Sequence, residues 1–128
     1  MNTYAEIQEA IGAHELWKDR LKKAIESRSS ELHPSVVGQE NQCDFGKWLH
    51  GSSLTSLDKK SPHYALCREL HQGFHATAAK ILSLALAGKT HQATQAIAPT
   101  GEFTRLSFAL TRVLIQWYEA LADEEIAR

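Results

Sequence analysis

The chain has 128 residues, 43% hydrophobic and 23% charged, with a formal net charge of −1. That length suits one domain, residues 1–128, with a substantial core, and the scattered lysines and arginines argue against a nucleic-acid or anionic-membrane surface. No apolar run is long enough to span a bilayer, and "MNTYAEIQEA" lacks the basic start and apolar run of a signal peptide, so a cytoplasmic chain is expected.

In chain order, residues 3–28 read as one helix. Tyr4, Ile7, Ile11, Leu21 and Ile25 recur at helical spacing with charges between them, and His14 falls on the same stripe. From Ser29 to Gln42 the pattern stops, and "HPSVVGQENQ" carries the Pro and Gly punctuation of a long loop. Residues 43–50 read as a helix of two turns, capped near Asn41 or Gln42 and closed by Gly51. Ser61 and Pro62 mark a strong helix start, and this helix runs to about Ala87 and stops at Gly88. Its stripe includes Phe74, Ala78, Leu82 and Ala85, with His71 and His75 on or beside it. Thr90 is expected to cap a short helix ending near Ala98, and Pro99-Thr100-Gly101 breaks it. A last helix carries Phe103, Leu106, Leu110, Val113 and Trp117 in register. No segment shows the period-two alternation of a half-buried strand. The expected fold is all-α, an antiparallel four-helix bundle with an extra short helix that carries a cysteine.

His14, Cys43, His71 and His75 stand out. His71 and His75 are spaced i, i+4, so both rings leave one helix face about 6 Å apart at Cβ. A single such pair among seven histidines carries little weight. His14, however, lies on the core stripe of another helix, where an imidazole is costly unless its nitrogens find partners. Cys43 opens a helix, where free N–H groups and the dipole favour a thiolate. Two cysteines without a secretory signal do not make a disulfide framework. Three imidazoles and one thiolate would close a Zn²⁺ site. Cys67, one turn before His71, is the rival thiol. Eight residues of helix rise about 12 Å, which puts Cys67 too far from His75 to share one ion; paired with His71 it stays geometrically possible, but it ranks well below Cys43 and reads as a buried small hydrophobe. His33, His50, His63 and His91 read as solvent-facing or capping residues.

"HELWKDRL" at His14, "CDFGKWL" at Cys43 and "LHQGFHATA" at Leu70 resemble, in order, the three signatures of the chemoreceptor zinc-binding domain family: His-x-x-Trp, Cys-x-[Leu/Phe]-Gly-x-Trp-[Leu/Tyr], and His-x-x-x-His. The resemblance implies a helical bundle that binds zinc through three histidines and the cysteine, here His14, Cys43, His71 and His75. It implies that Phe45, Gly46 and Trp48 seat the cysteine's helix. It also implies a regulatory role in bacterial chemoreceptors and diguanylate cyclases, often as a homodimer, with an output domain or signalling partner.

A zinc enzyme is the weaker reading. A hydrolase wants three protein ligands, an open water position and a nearby base, and Glu15 beside His14 lies in no His-Glu-x-x-His arrangement. A di-iron bundle needs carboxylates paired with histidines on facing helices, which these stripes do not supply. Structural zinc without sensing is the serious alternative.

Overall fold

The computed structural model describes residues 3–127, with side chains for 5–123. The described residues are all-helical, without strand. The helices are α1 (Thr3–Glu15), α2 (Trp17–Ser27), α3 (Pro34–Val37), α4 (Asp44–His50), α5 (Pro62–Leu86), α6 (Thr90–Ile97) and α7 (Glu102–Ala127), with 3₁₀ turns at Glu40–Gln42 and Asp58–Lys60.

α5 is the central element, packing on α7, α3, α2 and α6. It begins as its sequence dictates: the Ser61 hydroxyl accepts from the His63 amide, and Pro62 occupies the first turn. It ends in a Schellman turn. Gly88, at φ 77°, supplies the left-handed residue, and the amides of Gly88 and Lys89 donate to the carbonyls of Ala85 and Leu84. α7 returns antiparallel, since Phe74 meets Phe103 at 4.9 Å while Tyr64 meets Trp117 at 6.2 Å. The stripes anticipated on both helices are buried, with Leu106 half-buried. The side chain of Tyr4, placed on the first stripe by its spacing, lies outside the described residues.

The expected single helix over 3–28 is two. The break falls at Leu16, whose ψ of −17° departs from the helical norm. Just before it, the His14 ring shares the Ala10 carbonyl, a side-chain insertion of the kind that bends helices. The bend lets α1 lie on α7 and α4 while α2 lies on α5 and α6. The expected loop over 29–42 holds α3 and a 3₁₀ turn. Pro34 is not loop punctuation there but the first helical residue, behind His33, whose ring accepts from the Ser35 amide. Thr90 does not cap α6: Lys89 holds that position, and the Thr90 hydroxyl is buried without a partner.

α4 is fixed by three contacts. The Tyr64 hydroxyl donates to the Leu49 carbonyl at 2.9 Å, Trp48 lies on Trp117 at 5.7 Å, and Gly46 abuts the 3₁₀ turn. A Cβ on Gly46 would stand 1.7 Å from the Glu40 carbonyl oxygen and 3.0 Å from Asn41 Cα. The obstacle is backbone, so a side chain there must push α4 and the turn apart. Gly46→Ala is therefore expected to destabilise the fold by about 3 kcal/mol. A denaturant midpoint equal to that of the unsubstituted chain would refute this close approach.

Candidate metal centre

Three elements deliver the cluster. His14 comes from the last turn of α1, Cys43 from the entrance to α4, and His71 and His75 from successive turns of α5. One donor atom from each lies within 4.8 Å of every other. His14, His71 and His75 are buried and Cys43 is half-buried. Cys67 is fully buried but stands outside this group. The i, i+4 pair, the core-stripe histidine and the cysteine thus meet, as their sequence positions led one to expect. His33 is exposed and caps α3, and His91 is exposed.

The rings are oriented from behind. His14 Nδ1 donates to the Ala10 carbonyl at 2.7 Å, and His75 Nδ1 donates to the Val37 carbonyl at 3.0 Å. A carbonyl only accepts, so each Nδ1 carries the proton and each Nε2 is left with a lone pair. His71 Nδ1 faces Glu40 Oε2 at 2.9 Å, with the same consequence. All three Nε2 atoms therefore turn towards one point. His71 Nε2 lies 3.1 Å from His14 Nε2 and 3.4 Å from Cys43 Sγ, and His75 Nε2 is buried without any hydrogen-bond partner.

Burial keeps these rings neutral. His14 is lowered to about 4, chiefly by desolvation, against a partial lift from the Ala10 carbonyl. His71 and His75 are lowered for the same first reason, and the neighbouring rings of His75, His14 and His50 lower His71 further. Neutral rings with outward protons leave lone pairs facing lone pairs at hydrogen-bond distance. That repulsion is relieved by a cation. With Zn–N of about 2.0–2.1 Å and Zn–S of about 2.3 Å, donor edges in a tetrahedral site are about 3.3–3.6 Å, close to the two short separations found here. The donor set fits Zn²⁺.

Cys43 is itself the N-cap of α4, in place of the expected Asn41 or Gln42, and its Sγ accepts from the Gly46 amide at 3.3 Å. The expectation of a stabilised thiolate at this helix start is corrected. Desolvation raises the thiol, the Gly46 and Phe45 amides lower it less, and Glu40 and Asp44 raise it again, so the net direction is up. Metal binding must therefore displace the thiol proton. Cys67 is pushed up to about 12, first by burial. A cleft of about 400 Å³, lined by Glu6, His14, Trp17, Arg20, Cys43 and Asp44 among others, opens onto the His14–Cys43 side of the cluster.

Two residues behind the cluster escaped the sequence reading. Glu40 Oε1 takes His50 Nε2 at 2.6 Å while Oε2 takes His71. His50, read as solvent-facing or capping, has a side chain 32% exposed and turns its ring inward to this carboxylate. The only local signal was an acidic residue three positions before Cys43.

These features define a helical zinc-binding protein. The profile described as the chemoreceptor zinc-binding domain matches residues 14–82, more than half of the chain, and the chain belongs to that family. The family is zinc-binding and regulatory rather than catalytic. No curated protein and no solved structure matches the chain. No helix among the described residues is long and apolar enough to cross a membrane.

The lowered histidines fix a pH dependence for the metal-free chain. His14 titrates near 6.5 when unfolded and near 4 when folded, so between these values the unfolded chain holds more protons. Stability is complete above the unfolded value and falls on acidification, by on the order of 2 kcal/mol at about pH 5 from His14 alone. His71 and His75 act in the same direction. Denaturant midpoints of chelator-treated protein at neutral and acid pH test this, and a midpoint that holds or rises on acidification contradicts buried neutral rings.

Proposed function

We propose that the chain is a zinc-binding sensory or regulatory domain of bacterial signalling, in chemotaxis or cyclic-di-GMP control. Its ligands are His14, Cys43, His71 and His75, and Cys43 is the responsive arm. The observation that carries this is the orientation of three buried rings with Nδ1 occupied and Nε2 convergent beside one thiol. Bound zinc supplies a tetrahedral cation that satisfies these donors together. The residues divide the work. The histidines sit on long helices in the core and serve as the fixed wall. Cys43 is the half-buried donor, on a short helix beside an open cleft. When a two-electron oxidant such as a peroxide converts its sulfur to a sulfenate, or the metal is lost, the link that the ion would make between the cap of α4 and the histidines is broken.

The rest of the reading follows the same line. Residues 1–128 form one domain, with α1–α2, α5, α6 and α7 as the arms of an antiparallel four-helix bundle and α4 added to it. The domain works in the cytoplasm as a homodimer that passes its state to an output domain or signalling protein. A second reading, structural zinc without sensing, is favoured by one observation: Tyr64 and Trp117 hold α4 independently of the cluster.

Ligand variants test the assignment. His71→Ala and His75→Ala are expected to abolish tight zinc binding, whereas Cys43→Ala retains weaker binding through three nitrogens and a water. Chelator competition measures this, and equal loss in all three variants contradicts the ranking.

Oxidation separates the two readings. Cys43 is expected to react before Cys67, which is fully buried with its thiol held protonated, and Cys43 oxidation is expected to release zinc. Mass spectrometry of each cysteine alongside a zinc-release dye measures both. If Cys43 oxidises while zinc stays bound, the structural reading takes over.

A further inference from the structure

The three imidazoles are not held alike. His14 and His75 donate to backbone carbonyls, whose positions follow from α1 and α3 themselves. His71 alone has a side-chain carboxylate behind it, Glu40 Oε2 at 2.9 Å. Both oxygens of that carboxylate are engaged, because Oε1 lies 2.6 Å from His50 Nε2. Glu40 is 14% exposed at its side chain and His71 is fully buried. The backbone of the same residue is also committed: its carbonyl faces Cys43 Sγ at 3.5 Å and lies against Gly46. Glu40 thus touches His71, the Cys43 thiol and both ends of the segment that carries α4.

A neutral imidazole has one proton and two nitrogens to place it on. His71 Nε2 lies within reach of His14 Nε2 and Cys43 Sγ, both of which can accept. With nothing at Nδ1, the proton would move to Nε2 and satisfy the interior by an internal hydrogen bond. A metal ion would then have to break that bond and displace the proton. An anionic acceptor at Nδ1 removes this alternative and makes Nε2 a stronger donor to a cation.

We propose that Glu40, held in place by His50, is the positioning residue of the metal centre: its carboxylate keeps the His71 proton on Nδ1 and leaves Nε2 open for the ion. The proposal rests on the four-ligand reading above. Its partner is the same divalent cation, and its effect is on how tightly that cation is held.

The experiment uses the full chain and Zn²⁺ alone, with competition against a chromophoric chelator and two-bond ¹H–¹⁵N correlation of the metal-free histidines. In the unsubstituted chain the His71 proton is expected on Nδ1. Glu40→Ala is expected to weaken zinc binding towards the upper end of the roughly 10–100-fold range usual for such outer partners and to move His71 proton population to Nε2. Glu40→Gln keeps an acceptor for Nδ1–H but removes the charge, so the tautomer is retained and the loss is roughly tenfold. His50→Ala, at a partly exposed position, frees one carboxylate oxygen and weakens binding by less than Glu40→Ala does. Affinity lost in Glu40→Ala with the tautomer unchanged assigns Glu40 a purely structural contact and overturns the proposal. Unchanged affinity in Glu40→Gln overturns it as well, and decides the matter if Glu40→Ala does not fold. Failure of the unsubstituted chain to bind zinc removes instead the four-ligand reading.

Discussion

Everything in this fold is arranged around imidazoles that are buried, neutral and turned the same way. Burial alone would make three such rings a liability, because each hides two polar nitrogens from water. The chain settles the outer nitrogens with acceptors from three different elements and leaves the inner ones facing each other. The bend at Leu16, the short helix α3 and the 3₁₀ turn at Glu40–Gln42 all follow from that requirement. The first sits just beyond the turn whose Ala10 carbonyl holds His14. The second brings the Val37 carbonyl to His75, and the third brings the Glu40 carboxylate to His71. Segments that look like interruptions of a bundle are what aim its donors.

The aromatic shell has the complementary task. Phe45 stands edge-on to His14 and His71, and Phe74 stands edge-on to His14 and His75. These rings exclude water without offering hydrogen-bond acceptors of their own, so a cation has no competitor from the packing around it. The Cys43 side is different. There the wall gives way to a cleft with polar residues, and the thiol carries an ordinary capping duty through the Gly46 amide. The centre therefore has a closed nitrogen side and an accessible sulfur side.

Much of this was legible from residue order. Ser61-Pro62 fixed the start of α5 and so the facing of His71 and His75. The stripe through Ile7 and Leu21 placed His14 in the core, and the short Cys43 segment read correctly as a helix. What could not be read has one physical cause in each case. Pro34 signals both loop and helix start, and only the His33 cap decides between them. Asn41 is a better capping residue by type than Cys43, but the close approach of Gly46 to the Glu40 carbonyl sets the register of the turn. Glu40 and His71 are 31 residues apart, and no local periodicity records such a contact.

The tryptophans give the molecule one further property. The chain has three, at positions 17, 48 and 117. Trp17 lies 6.0 Å from the His75 ring, Trp48 lies 5.6 Å from Phe45 on the cysteine's own helix, and Trp117 lies 5.7 Å from Trp48. Every indole in the protein is thus in ring contact with a cluster residue or with the helix that begins at the thiol. The indole emission of this chain is consequently divided between two local reporters: Trp17 beside the His75 ring, and the Trp48–Trp117 pair at the helix that begins at the thiol.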